Sequence, residues 1–181
     1  MIVTLTVNPA IDRTIAVDRL VFEDRAYITS SRESAGGRGI NAACVIHSFG
    51  GKAMAIVPAG GESGAHFEQF LNSCGFELIV VPIHSEVRRN LIITDKQGLT
   101  VKLNEPGATL NKAELARIEK VVRAKLDQAS WFMICGSLPP GVPASFYAQL
   151  VTMARKRGVK TLLDADGSAS FMRILSASQI I

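Results

Sequence analysis

Apolar and polar positions along this chain alternate between two regimes. The opening run Ile2-Val3-Thr4-Leu5-Thr6-Val7 is continuously apolar or β-branched, predicts a strand buried on both faces, and ends at Asn8-Pro9, where Pro cannot donate to a ladder. Asp12 then falls in a loop, and residues 14–34 are polar with isolated apolar positions, a pattern for short, half-exposed strands. A glycine segment, Gly36-Gly37-Arg38-Gly39, starts a helix that runs through Cys44 to a C-cap at Gly50-Gly51. Next come a strand at 53–57, a helix from Gly64 to Ser73 with Phe67, Phe70 and Leu71 on one side, and a strand at 78–81. Continuous apolar strands separated by amphipathic helices predict a parallel sheet covered on both faces.

The period then changes. Residues 89–94 and 99–103 flank Asp95-Lys96-Gln97-Gly98 and read as a hairpin inserted into the α/β alternation, as a separate lid would be. Asn111-Lys112-Ala113-Glu114 has capping-box spacing, and Leu115, Ile118, Val122 and Leu126 give the following helix its apolar stripe. A strand at 131–135, a turn at 136–142, a helix at 143–157 and a strand at 159–163, ending at Asp164, complete the pattern.

At 181 residues and 48% apolar content the chain suits one domain with a sizeable core. Its net charge of +4 comes without a basic run and with only three Trp or Tyr residues, which argues against nucleic acid as a partner. Cys44, Cys74 and Cys135 are widely spaced in apolar segments and read as reduced core thiols. No leader pattern and no apolar run of membrane-spanning length is visible, so the cytoplasm is the expected address and no membrane partner is expected.

Chemistry concentrates at a few positions. The glycine segment opens a helix whose free amides and partial positive charge suit a polar ligand approaching closely. Gly37-x-Gly39-x-x-Ala42 satisfies a loose dinucleotide pattern, with Glu62 near the acidic position, but the polar Thr29–Ser34 stretch is not the apolar strand that pattern requires. No Gly-Lys pair followed by Ser or Thr is present, so there is no Walker A loop. Asp12 follows the first strand's carboxyl end, where open α/β sheets gather ligand groups, and can accept sugar hydroxyls; it reads equally as a turn Asp. Arg88 and Arg89 carry guanidinium groups suited to phosphate, and Ser137 lies in a Pro- and Gly-rich turn after a strand.

Taken in order, Asn-Pro-Ala-Ile-Asp at 8–12, Gly-Gly-Arg-Gly-Ile-Asn at 36–41, Val-Pro-Ala-Gly-Gly at 57–61, Arg-Arg-Asn-Leu at 88–91, Glu-Pro-Gly-Ala at 105–108 and Gly-Ser-Leu-Pro-Pro-Gly-Val at 136–142 resemble the PfkB branch of ribokinase-like sugar kinases. The likeness is greatest to its phosphofructokinases and tagatose-6-phosphate kinases. It implies a ribokinase-like α/β/α sandwich with a small β-sheet lid, here at about 13–34 and 87–104, and a homodimer through the lid strands. By position it implies that Asp12 holds sugar hydroxyls, that Gly37 and Asn41 line the sugar pocket, that Arg88 (the family pattern being Arg-x-Asn) and Ser137 bind the sugar phosphate, and that Asp164 helps organise magnesium. The implied reaction is phosphoryl transfer from ATP, with Mg2+, to fructose 6-phosphate; fructose 1-phosphate and tagatose 6-phosphate are the alternative acceptors. Arg38 stands where many relatives carry Lys or Gly, placed to contact phosphate or to pair with Glu33.

Two family features have no counterpart here: the Gly-Ala-Gly-Asp segment bearing the catalytic Asp and the Asn-x-x-Glu magnesium motif. Around Ala169 to Ile181 the motif pattern dissolves. The expectation is therefore a partial domain over 1–181, the sugar-binding part of a kinase arising by truncation, a frameshift or as a deliberately partial piece. It would lack activity, bind ATP and Mg2+ poorly, and be less stable and prone to associate. The alternative of another class is a noncatalytic sugar-phosphate-binding or interaction module.

Overall fold

The computed structural model describes residues 1–165. Its centre is a five-stranded, all-parallel sheet in the order β5-β4-β1-β8-β9, built from β1 (Ile2–Thr6), β4 (Ala53–Ala59), β5 (Glu77–Pro82), β8 (Trp131–Cys135) and β9 (Lys160–Asp164). β4 is buried along its whole length. Pro58 is tolerated there because β1 stops pairing at Ile56, so beyond that point β4 has a neighbour on one side only.

Helices α1 (Arg38–Ser48) and α2 (Gly61–Asn72) cover one face around Ile40, Ala55, Val57, Phe67 and Leu71. On the other face, α3 (Lys112–Leu126) and α4 (Phe146–Arg155) close a larger core around Leu5, Ile118, Phe132, Ile134 and Tyr147. Because side chains alternate along a strand, Phe132 and Ile134 face α3 and α4, while Trp131 and Met133 of β8, with Leu162 beside them on β9, point to the opposite face. There Trp131 and Leu162 stay about two-fifths exposed, and Lys160 Nζ lies 5.4 Å from the Trp131 ring centre.

A second, four-stranded sheet forms the lid, in the order β3-β2-β6-β7, from β2 (Ala10–Val17), β3 (Ile28–Gly36), β6 (Arg88–Thr94) and β7 (Thr100–Asn104). The β6–β7 hairpin forms as its sequence predicts, with Gly98 at φ +87° in the turn. β2 pairs antiparallel with β3 but parallel with β6, in a register that sets Asp12 opposite both Ser34 and Asn90. These strands span Ala10–Gly36 and Arg88–Asn104, beside the segments 13–34 and 87–104 read from the sequence.

Several boundaries differ from the sequence reading. Asp12 lies within β2 rather than in a loop, because Pro9 breaks β1 without preventing a new strand one residue later. α2 starts at Gly61, three residues early, where the Glu86 carboxylate accepts from the amides of Glu62 (3.0 Å) and Ser63 (2.8 Å). α4 starts at Phe146 rather than Pro143, since residues 143–145 form a turn closed by Phe146 N–H to Pro143 O at 2.9 Å. The capping box at Asn111 and Glu114 is present as predicted.

Candidate functional site

Loops and strand ends at the carboxyl edge of the parallel sheet carry most of the chemistry. Gly37 precedes α1 with φ +136°, a backbone conformation that favours glycine, and a Cβ there would meet Thr6 Cγ2 at 2.7 Å. At Gly39 a Cβ would meet Thr6 Oγ1 at 2.6 Å and the Leu5 carbonyl oxygen at 3.2 Å, so the helix start is seated directly on the end of β1. Asn41 donates its backbone N–H to Gly37 O (2.9 Å), the first bond of the helix, and its side chain is exposed.

Asp12 lies beside this loop. Any side chain at Gly36 would collide with its carboxylate, so this glycine is the condition for Asp12 to lie across the β3 end. Asn90 Nδ2 donates to Asp12 Oδ1 at 2.8 Å, which fixes the carboxylate and leaves Asn90 Oδ1 buried without a partner among the described residues. Sequence reasoning passed over Asn90 as a contact of Asp12. The signal that would have found it is the parallel β2–β6 register, which a local pattern does not contain.

Arg88 and Ser137 come to the same edge through Asn8. Asn8 Nδ2 donates to Ser137 Oγ (3.1 Å) and to Pro106 O (3.0 Å), and Asn8 is only 5% exposed. Arg88 donates from Nη2 to Asn8 O (3.0 Å), from Nε to Pro9 O (3.3 Å) and from Nη1 to Glu105 O (2.8 Å). Its guanidinium is therefore a brace for the β1–β2 turn and the 105–108 loop as well as a cation at the edge. Arg89 by contrast is exposed, its backbone N–H held by Glu105 Oε2 at 2.8 Å. A small pocket of about 10 Å³, room for roughly one water, lies between Asn8, Pro9, Val87, Arg88 and Ala108.

Arg38 pairs with Asp164, Nη1 to Oδ1 at 3.0 Å, both side chains about half exposed. This replaces the anticipated pairing with Glu33, which faces His66 instead at 3.8 Å. The reason lies in topology: Glu33 is on lid strand β3, whereas Arg38, in the first turn of α1, meets the carboxyl end of β9. Beneath the pair, burial first and then the Asp164 charge push the Cys135 thiol up to about 11, with Arg38 opposing.

Asp164, the residue implied to help organise magnesium, is held by the Arg38 guanidinium in an ion pair about half exposed on both sides, which a divalent cation would have to share or displace. The dinucleotide reading fails, for a reason the sequence did not show. A strand does run into Gly36, but it is the exposed antiparallel edge of the lid and not a strand of the parallel sheet.

A parallel α/β layer carrying a glycine-started helix and a carboxylate at its carboxyl edge, beneath an inserted β lid, defines a ribokinase-like domain. The solved phosphofructokinase-2 from Escherichia coli in complex with fructose-6-phosphate superimposes with a TM-score of 0.87 at 33% identity, covering 96% of this chain and 58% of that one. The chain belongs to the pfkB family of carbohydrate kinases, which it matches over residues 4–181. That match runs through the 169–181 segment, where the short motifs had given out. The chain is 32% identical over 167 residues to the ATP-dependent 6-phosphofructokinase isozyme 2 of Mycobacterium tuberculosis (strain CDC 1551 / Oshkosh), covering 92% of this chain and 49% of that protein. It is 30% identical over 182 residues to the 1-phosphofructokinase of Rhodobacter capsulatus, covering 99% and 58%. The chain spans about half the length of the curated relatives it matches.

Proposed function

We propose that this chain forms the sugar-phosphate-binding part of a PfkB kinase whose acceptor is fructose 6-phosphate and whose phosphoryl donor is ATP. The observation that carries the reading is the Asp12–Asn90 pair set against Gly36 and Gly37, with Arg88 entering from the next lid position on the same strand face as Asn90. A carboxylate oriented by an amide accepts hydroxyls in a fixed direction, and an amide-rich helix start leaves room for a ring to approach. In this reading Asp12 and Asn41 hold sugar hydroxyls, Gly37 shapes the pocket, and Arg88 and Ser137 hold the sugar's phosphate. Arg88 would bring the phosphate to a guanidinium already braced by three carbonyls, which lowers the entropy lost on binding.

ATP is the co-substrate of the ATP-dependent phosphofructokinases that the chain is similar to. Magnesium enters this reading with the nucleotide, and no step is routed through Asp164. The chain alone is inactive in this reading, because in-line transfer depends on positioning and charge stabilisation that these residues do not supply. The exposed lid residues Tyr27, Ile28, Leu99 and Leu103 are the surface through which two copies would pair, and the cytoplasm, where phosphorylated hexoses are metabolised, is the working compartment.

Titration calorimetry with fructose 6-phosphate tests the proposal, with fructose 1-phosphate and tagatose 6-phosphate as competitors. Asp12→Asn is expected to weaken binding by at least tenfold while leaving the urea midpoint near that of the parent. Equal binding by parent and variant would remove Asp12 from the site. Absence of sugar-phosphate binding by the parent would remove the reading.

A further inference from the structure

The five-stranded sheet ends at β9, which among the described residues pairs with β8 on one side and with no strand on the other. One bond shows which backbone groups face the open side. Gly136 N–H donates to Asp164 O at 2.7 Å, so the N–H and C=O of Asp164 point toward β8. Because these groups alternate along a strand, Lys160 and Leu162 also bond β8, while Thr161 and Leu163 present their N–H and C=O outward.

The side chains of β9 add a second pattern. Lys160, Leu162 and Asp164 share the face opposite α3 and α4, and all three are exposed, Leu162 at 42%. Lys160 Nζ is held on this face by the Trp131 ring, and the Asp164 side chain stays 53% exposed although Arg38 bonds its Oδ1. A cation and an anion thus stand at the two ends of one five-residue strand, with an apolar residue midway. Edge strands of monomeric proteins are commonly blunted by Pro, by a bulge or by inward-pointing charge. β9 has neither Pro nor bulge, and its two charges, being opposite in sign, make the edge complementary to itself.

We infer that β9 is a self-association surface whose occupant is β9 of a second copy, lying antiparallel about a two-fold axis at Leu162. In that register Thr161 exchanges backbone N–H···O bonds with the partner's Leu163. Lys160 faces the partner's Asp164 in the closer, non-hydrogen-bonded kind of pair, and symmetry repeats both contacts. Leu162 meets its counterpart, so Trp131, Met133 and Leu162 of the two copies form one apolar band. A slip of two residues sets a charge against Leu162, and a slip of one turns the charged faces apart, so the charges fix the register. The contact is isologous and closes as a dimer. It uses none of the lid residues Tyr27, Ile28, Leu99 and Leu103, and it does not depend on the sugar reading.

Sedimentation velocity of the 181-residue chain over a range of concentrations is expected to show a monomer–dimer equilibrium. Lys160→Asp and Asp164→Lys each set like charges across the axis and should weaken dimerisation at least about tenfold, with urea midpoints near that of the parent. An equimolar mixture of the two variants faces every Asp with a Lys and should regain the parent's affinity. In Leu162→Cys the introduced sulfurs meet across the axis, with Cα atoms about 4.5 Å apart, and mild oxidation should give a covalent dimer joined at position 162 that the parent does not form. Pairing through the lid alone would give a dimer that every variant shares and that Leu162→Cys does not cross-link, which separates the two contacts. A monomeric parent, single variants that associate as the parent does, a mixture no tighter than either variant, or no covalent dimer at position 162 would overturn the inference. Each of these would also be the result if residues 166–181 covered the β9 edge instead.

Discussion

Asn8 is the residue on which the candidate site can be tested most sharply. Its amide joins three segments far apart in sequence, with Nδ2 donating to Pro106 O at 3.0 Å and Ser137 Oγ at 3.1 Å, and its backbone carbonyl accepting from Arg88 at 3.0 Å. Gly107, at φ +102°, leaves the space that the Asn8 Oδ1 atom fills. Asn8→Ala removes two hydrogen bonds at a site 5% exposed and leaves the Pro106 carbonyl without its donor. A net of about 0.5–1.5 kcal/mol for each of the two bonds plus a partly desolvated acceptor at about 1–3 kcal/mol gives an expected loss of roughly 2–6 kcal/mol.

Asn8→Asp keeps the shape but turns the donor facing the Pro106 carbonyl into an acceptor, while the Ser137 hydroxyl can rotate to donate to it, so at pH 7 it should cost about as much as the alanine. The introduced carboxyl is held neutral by burial and by its need to donate, so its folded pKa is raised above the unfolded value. Stability tied to its protonated form is then fully present below the unfolded pKa and lost as pH rises through the folded one. Relative to the parent, Asn8→Asp should recover between pH 7 and pH 4, while Asn8→Ala should keep a constant deficit. Urea unfolding at several pH values, with the slope m checked for constancy, measures both. A loss below about 0.5 kcal/mol for Asn8→Ala, or an Asn8→Asp deficit that does not change with pH, would refute the account of Asn8 as the joint of the site.

Further outcomes follow from the same geometry. Glu114, 2% exposed, accepts from the amides of Asn111 and His84 at 2.8 Å each, so Glu114→Gln should cost about 1.5–3 kcal/mol in urea at pH 7, against a few tenths for the surface Glu119→Gln. Burial raises the Glu114 carboxyl, but the amides of Asn111 and His84 and the Arg117 charge outweigh it and hold it below the ordinary value. That stabilisation is present above the unfolded carboxylate pKa, so the gap between parent and Glu114→Gln should narrow as pH falls through the folded one. Gly37→Ala places a Cβ against Thr6 in a backbone conformation unfavourable to alanine; a thermal midpoint lowered by roughly 4–10 °C is expected, and an unchanged midpoint would count against the seated helix start. Arg38→Gln breaks an ion pair about half exposed on both sides and should change stability by less than about 1 kcal/mol in urea; a larger loss would mean the pair is structural.

Much of this architecture is present in local sequence. Strand and helix identities follow from apolar period, the capping box at Asn111 and Glu114 from four letters, and the β6–β7 hairpin from Gly98 between two alternating runs. These are readable because their causes act over a few residues: side-chain alternation, cap hydrogen bonds, and the freedom of glycine at positive φ. The motif order also carried the family, and the positions that motifs single out, Asp12, Gly37, Arg88 and Ser137, do lie along one edge of the sheet or on the lid strands that meet it.

What tertiary structure decided were the partners. The sequence placed Asp12 in a loop, offered Glu33 to Arg38, and put Arg88 and Ser137 at one phosphate without showing what joins them. In the fold Asp12 is a strand residue fixed by Asn90, Arg38 reaches Asp164 across 126 positions, and Asn8 joins Arg88 to Ser137. None of these pairings has a local signature, because each depends on the parallel β2–β6 register or on which strand ends lie side by side in the five-stranded sheet. Sequence determines which groups are available and what backbone each tolerates; strand order and register determine which of them meet.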